Sequence, residues 1–247
     1  MPLTSSVRKR EFDSNAENFS SGEMWLADLF QQFLIEARPR RCIPKLSGLY
    51  REVSATVGVA DFLGIVAPRW NYTGSRIKKF FNGLPSGPVA EVLIKINRKN
   101  LVSREEFFEN TAFSRPVISS TLYGLTQSGA INLKKGKKAF YMSGFNLPQA
   151  DLIFYELKLT KWRRALYQAS QALEYCDKAY CVLPAHKKKV MKRQIDIFRN
   201  AGIGLILFDS MRWKIVELVP AKRCKPKRPL NKISVLLKLP GEKNLFY

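Results

Sequence analysis

Leu152-Ile153-Phe154-Tyr155-Glu156-Leu157-Lys158-Leu159 sets an acid and a lysine two residues apart in a run that is otherwise apolar. Such a run reads as a buried strand, and on a strand side chains two apart point the same way. Taking a carboxylate and an ammonium out of water is costly unless they pair or meet a metal. Glu156 and Lys158 are therefore expected on one face of an interior strand, close enough to interact. Upstream, Val59-Ala60-Asp61-Phe62-Leu63-Gly64-Ile65-Val66 is a second apolar strand, interrupted by the acid Asp61. Downstream, Thr160-Lys161-Trp162 opens a helix to about Cys176, with Trp162, Ala165, Leu166, Ala169, Ala172 and Leu173 as its apolar stripe. Gln168 sits at the edge of that stripe, from where it can lean back over the end of the strand.

Further along, 179–183 is a strand. Residues 187–200 form a basic helix with Val190, Ile195 and Phe198 inward, and Gly202 ends it. Residues 204–208 are another buried strand, and Trp213 to Val219 pairs with it as a hairpin. The β-α-β-α-β order from 151 to 208 predicts a mostly parallel or mixed sheet flanked by helices. Pro220 to Pro229 reads as an exposed linker, and Ile233 to Leu239 as an added edge strand. Toward the N-terminus, Trp25, Leu26, Leu29, Phe30, Phe33 and Leu34 recur at helical spacing over 23–37. A basic link (Arg38 to Lys45) follows, then strands 49–57 and 59–66 around Gly58, which suits a turn or bulge. Glu52 on the first of these strands is a further acid, expected at the surface. Residues 67–87 read as a connector.

The pattern changes over 88–147. Residues 88–97 form a helix opened by Pro88. Ser103-Arg104-Glu105-Glu106 matches a capping box, and Ser114-Arg115-Pro116-Val117 starts a helix to about Gln127. Strands Ala130 to Leu133 and Ala139 to Met142 follow, joined by Lys134-Lys135-Gly136-Lys137-Lys138. Three helices and a hairpin with a basic tip resemble a winged helix-turn-helix. That motif puts its last helix in the major groove of DNA and its wing on phosphate.

Composition narrows the partners. The 247-residue chain carries 42 Lys+Arg against 20 Asp+Glu, a formal charge of +22, which favours nucleic acid. No apolar run approaches the roughly 20 residues that span a bilayer. The basic residues are spread over several elements and not along one amphipathic helix, which argues against a membrane surface. Residues 1–22 are polar without an apolar signal core and read as a disordered leader. Cys42, Cys176, Cys181 and Cys224 have no metal-ligand spacing, so reduced thiols in a cytoplasmic or nucleoid-associated protein are expected, with Cys176 and Cys181 filling the core. The single histidine, His186, adjoins Lys187-Lys188-Lys189, which suits a solvated or phosphate-contacting loop and gives no support to histidine-based nucleophilic catalysis.

Ala60-Asp61, Glu156-Leu157-Lys158 and Trp162-Arg163-Arg164-Ala165-Leu166-x-Gln168-Ala169 resemble the PD-(D/E)XK nuclease superfamily. The resemblance covers about 23–66 and 151–219, with Ala in place of Pro before Asp61 and a long gap between Asp61 and Glu156. It implies an α/β fold with a restriction-endonuclease-like mixed sheet flanked by helices. The gap is accounted for by an inserted winged-helix domain (88–147) that divides the nuclease-like core into 23–87 and 148–247. The resemblance further implies Asp61 and Glu156 as ligands of Mg²⁺ (Mn²⁺ as substitute), Lys158 orienting the attacking water, and Gln168 supporting the metal or the DNA backbone. The expected activity is metal-dependent DNA cleavage. Arg115 and Ser119 on the last winged-helix helix and Lys134, Lys135, Lys137 and Lys138 in the wing are expected to touch DNA. So are Lys161, Arg163, Arg164, Lys187 and Lys188. The same residues leave other readings open: Glu156 and Lys158 as a plain ion pair, Asp61 as a turn cap, Gln168 as a solvated helix residue. The rival function is a DNA-binding regulatory or assembly protein on an inactive or partner-activated scaffold, in a transposition or phage-defence complex. A homodimer would serve double-strand cutting, although no dimer surface is legible.

Overall fold

The computed structural model describes residues 19–36, 42–55, 58–66, 83–109, 111–134, 136, 138–143, 147 and 149–239. Helix α1 (Phe19–Glu36) leads into strands β1 (Gly48–Ala55) and β2 (Gly58–Val66). The chain then builds a smaller unit from α2 (Ser86–Lys99), β3 (Val102–Ser103), α3 (Arg104–Phe108), α4 (Arg115–Gln127), β4 (Ile131–Lys134) and β5 (Ala139–Met142). It returns through β6 (Asp151–Leu157), α5 (Trp162–Ala172), β7 (Lys178–Pro184), a 3₁₀ turn (Ala185–Lys187), α6 (Lys188–Lys192) and α7 (Ile195–Ala201). Strands β8 (Gly204–Asp209) and β9 (Lys214–Val219) and helix α8 (Pro229–Lys238) complete it.

The fold is mixed α/β. Its main sheet has six strands in the order β1-β2-β6-β7-β8-β9. Only β6-β7 and β7-β8 are parallel; the other pairs are antiparallel. Parallel neighbours need a crossover, and α5 and then α6 with α7 supply the two required. Strands β2 and β6 are adjacent in the sheet although the whole smaller unit lies between them in sequence. That places Asp61 and Glu156 on neighbouring strands.

Helices cover both faces of the sheet. Leu152 and Phe154 pack with Ala165, Ala169 and Ala172 of α5 and with Phe198 of α7. Ile153, Tyr155 and Leu157 turn the other way, onto Leu26, Phe30, Phe33 and Leu34 of α1. Phe30 is fully buried, its ring centroid 5.4–6.5 Å from those of Phe33, Phe62, Tyr155 and Phe208. Cys176 and Cys181 are core residues, as expected.

In the smaller unit, β3, β5 and β4 form an antiparallel sheet against α2, α3 and α4. The capping box is present: Ser103 Oγ accepts from the Glu106 N–H, and Glu106 Oε2 accepts from the Ser103 N–H.

Several expectations need correction. Ile233 to Leu239 is not an edge strand: Ile233 to Lys238 belong to α8, and Leu239 is its C-terminal cap residue. A short apolar run cannot by its period separate strand from helix, and Pro229 in the first turn favours the helix. Helix α8 feeds two cores: Leu237 joins that of the smaller unit, while Val235, Leu236 and Leu239 join that of the main sheet. Ser234 Oγ lies 2.9 Å from Ser86 Oγ of α2. The basic helix 187–200 is broken at Arg193 and Gln194, which turns Val190 outward to 54% exposure. The 1–22 leader is cut short by α1, which starts at Phe19; residues 1–18 lie outside the described residues. So do 37–41 of the basic link, 56 and 57 at the first hairpin, 67–82 of the connector, and 135 and 137 at the basic tip. No helix among the described residues is long and apolar enough to cross a membrane.

Candidate functional site

The β2–β6 ladder runs from Val66–Asp151 to Phe62–Tyr155 and stops. One step further in that register, Asp61 stands opposite Glu156. The Leu157 N–H is taken there by a side chain, donating to Asp61 Oδ2 at 2.8 Å. On its other side β6 stays tied to β7, with Leu157 opposite Val182 and the Lys158 N–H donating to the Val182 carbonyl at 3.1 Å. Strand β6 thus parts from β2 while holding β7, and charged groups gather at its C-terminal end.

Lys158 Nζ is the centre of that group. It lies 3.0 Å from Glu156 Oε1, 3.6 Å from Asp61 Oδ2 and 3.7 Å from Glu23 Oε2. Glu23, on the first turns of α1, also accepts from the Leu159 N–H at 3.3 Å. The Glu156 side chain is wholly buried, that of Asp61 about one-third exposed. Among the described residues neither Glu156 oxygen has a hydrogen-bonding partner of good geometry, although the Lys158 ammonium faces Oε1, and the same holds for the buried Oε1 of Gln168. Gln168 is on α5, which packs over β6 and β7.

The electrostatics follow from burial. Desolvation, helped by the Asp61 charge and opposed by Lys158, pushes the Glu156 carboxyl up to about 7. Burial likewise raises Asp61, against the pull of Lys158 and the Leu157 N–H. Burial alone would lower Lys158, but the charges of Glu156 and Asp61 outweigh it and the ammonium is held above its ordinary value. Cys181, in register with Glu156 on β7, is raised by burial and by the Glu156 charge, and so stays an inert thiol.

No group of three or more His, Cys, Asp or Glu side chains is arranged to hold a metal among the described residues. Glu23, Asp61 and Glu156 converge instead on an ammonium. Three carboxylates against one ammonium leave a surplus of two negative charges when all are ionised. In charge, that surplus and the unpartnered Oε2 of Glu156 suit a hard dication.

The structure therefore brings Asp61, Glu156 and Lys158 together, with Gln168 on α5, the helix that packs over β6 and β7. Glu52 stays outside, 75% exposed in its side chain, as expected. Glu23 was missed. It belongs to an amphipathic helix more than 130 residues away in sequence, and its only local signal is an acid just before the apolar stripe begins.

The basic candidates are scattered over the surface. Arg115 is exposed and lies over the Phe108 ring, 5.4 Å from its centroid. Ser119 is half-buried and takes a 3.4 Å contact from Arg104 Nη2, and the outward face of α4 carries Val117, Ser120, Tyr123 and Gln127 alongside Arg115. Lys134, Lys138, Lys161, Arg163, Arg164 and Lys188 are exposed, and Lys187 is half-buried. The Arg163 guanidinium lies 4.6 Å from the Trp162 ring centroid. Lys135 and Lys137 lie outside the described residues. His186 is exposed on the 3₁₀ turn, its imidazole shifted toward the neutral form by partial burial and by Lys187.

The chain matches no family model, no curated protein and no solved structure.

Proposed function

We propose that this chain is a metal-dependent deoxyribonuclease of restriction-endonuclease-like fold. In this reading the smaller unit is an inserted winged helix that positions the DNA. The observation that carries it is the Glu156 carboxylate: wholly buried, facing the Lys158 ammonium at 3.0 Å, and clustered with Asp61 and Glu23 at the point where two strands part. A fold keeps so costly an arrangement where the charge has work to do. Glu156 and Asp61, with Glu23 as the added acid, would hold Mg²⁺. When bound, the ion would polarise a phosphoryl oxygen and acidify water. Lys158 orients the nucleophile and offsets charge on the phosphate, while Gln168 above steadies the ion or the DNA backbone. Burial at the end of β6 excludes bulk water and strengthens each of these interactions.

The exposed face of α4 would enter the major groove. The exposed cations, within a net charge of +22, would supply affinity through counterion release. One observation favours the rival reading, a DNA-binding regulatory or assembly protein without activity of its own: Lys158 already neutralises part of the acid cluster without a metal. Linear, circular, branched and single-stranded DNA incubated with the protein, with and without Mg²⁺ or Mn²⁺, separates the two. Metal-dependent cutting that Glu156→Gln and Lys158→Ala abolish, with duplex binding retained, is the expected result. Cutting by both variants at the parent rate would overturn the site, and binding without cutting would favour the rival.

A further inference from the structure

A half-open cleft of about 970 Å³ lies beside the acidic site. It occupies the C-terminal ends of the parallel strands β6, β7 and β8, the end of a parallel sheet where ligands bind as a rule. Leu159, which follows Lys158 and donates its N–H to Glu23, forms part of its wall. Cleft and acidic cluster thus meet at Leu159, the residue after Lys158. Leu26, Leu207 and Phe208 give it an apolar floor, and Trp25 flanks them from α1. The opposite rim is cationic, with Lys188 after β7 and Arg212 and Lys214 at the β8–β9 turn. Asp209, the one acid lining it among the described residues, accepts from the Arg212 N–H at 3.0 Å and lies 3.9 Å from Arg212 Nε.

We propose that this cleft takes an unpaired nucleic-acid strand next to the bond to be cut. The proposed activity is thereby directed to single-stranded, flapped or branched DNA, and the inference rests on the nuclease reading above. The volume is at the upper end of the range for pockets that enclose small ligands, enough for a nucleotide or two and too small for a duplex. An apolar floor with an aromatic at its edge accepts the faces of bases of any sequence, and a cationic rim tracks the phosphates. A fully paired helix hides its base faces and gains nothing from such a floor.

The test uses Arg212→Ala/Lys214→Ala and, separately, Val216→Glu. All three positions are solvent-exposed and outside the acidic cluster, and Val216 lines the cleft. Fluorescence anisotropy with labelled oligothymidylate, and with a duplex of equal length, is recorded in EDTA over a salt series. The double variant should bind the single strand about tenfold more weakly at low salt, with a slope of log affinity against log salt flatter by about 1.4, and leave the duplex slope unchanged. Val216→Glu should weaken only the single strand. Equal losses on both ligands, or none on either, would overturn the assignment. Light scattering on the same samples provides another check: a dimeric parent that Val216→Glu makes monomeric would give the cleft to a second copy of the chain, and would overturn it too. Failure here is separable from failure of the nuclease reading. Metal-dependent cutting with unaltered single-strand binding by the variants would sink the cleft alone. The expected binding changes without any cutting would sink the nuclease alone.

Discussion

Replacing Glu156 by Gln should remove a pH-dependent weakness from the fold. The carboxyl has a pKa of about 7 in the folded chain against an ordinary 4.5. Between those values the folded state keeps a proton that the unfolded state has released. Stability therefore falls as pH rises through this window and levels off above it. A gap of that size amounts to about 3 kcal/mol, or roughly 6–12 °C in melting temperature for a chain of this length. Glutamine keeps the shape and cannot ionise, so Glu156→Gln should lack this loss. Lys158 retains Asp61 and Glu23 in the variant, and its own titration lies far above the window. The assay is urea unfolding of parent and variant at steps from pH 5 to pH 8, with the difference between them plotted. Superimposable pH profiles would refute the assignment of a desolvated, proton-holding carboxyl to Glu156. The same samples test the proposed ion without any measurement of cleavage. Mg²⁺ at a hundred times its dissociation constant should stabilise the parent at pH 8 by about 3 kcal/mol and leave Glu156→Gln unmoved.

Three further outcomes follow from the packing. Gly204→Ala would place a Cβ 2.2–2.3 Å from ring atoms of Tyr180 and 2.9 Å from the Ala221 nitrogen, so a loss of about 3 kcal/mol is expected in denaturant unfolding. Asp177→Ala would strip Lys232 of its 2.7 Å partner and the Leu152 N–H of its acceptor, costing about 3 kcal/mol and loosening α8 from β6; hydrogen exchange at Leu152 should quicken. Leu237→Ala opens a hole in the smaller unit's core from a helix that also serves the main sheet. A loss of roughly 2–5 kcal/mol in a single transition is expected, and two separate transitions in calorimetry would refute a mechanical link through α8.

Much of the main sheet was legible in the chain because its signals are local. The apolar run at 152–159 identifies β6, the stripe on Trp162, Ala165 and Ala169 identifies α5, and two-residue alternation puts Glu156 and Lys158 on one side. The helix α8 was not legible. Ile233 to Leu239 is apolar enough for either state, and the tertiary structure resolves it as a helix that sets Leu237 in the smaller unit's core and Val235 and Leu236 in that of the main sheet. The break at Arg193 and Gln194 was hidden for a similar reason: a run of basic residues carries little period to interrupt.

By itself the sequence determined that an acid and a lysine would be desolvated together on a strand, within a strongly basic α/β chain. Burial and strand periodicity act over a few residues, and those are written locally. Only the tertiary structure decided which distant side chains would meet them. Bringing β2 against β6 across the smaller unit, and the start of α1 against the end of β6, is the outcome of sheet pairing and core packing over whole elements. Asp61 and above all Glu23 owe their place at Lys158 to that long-range packing, which no short stretch of the chain encodes.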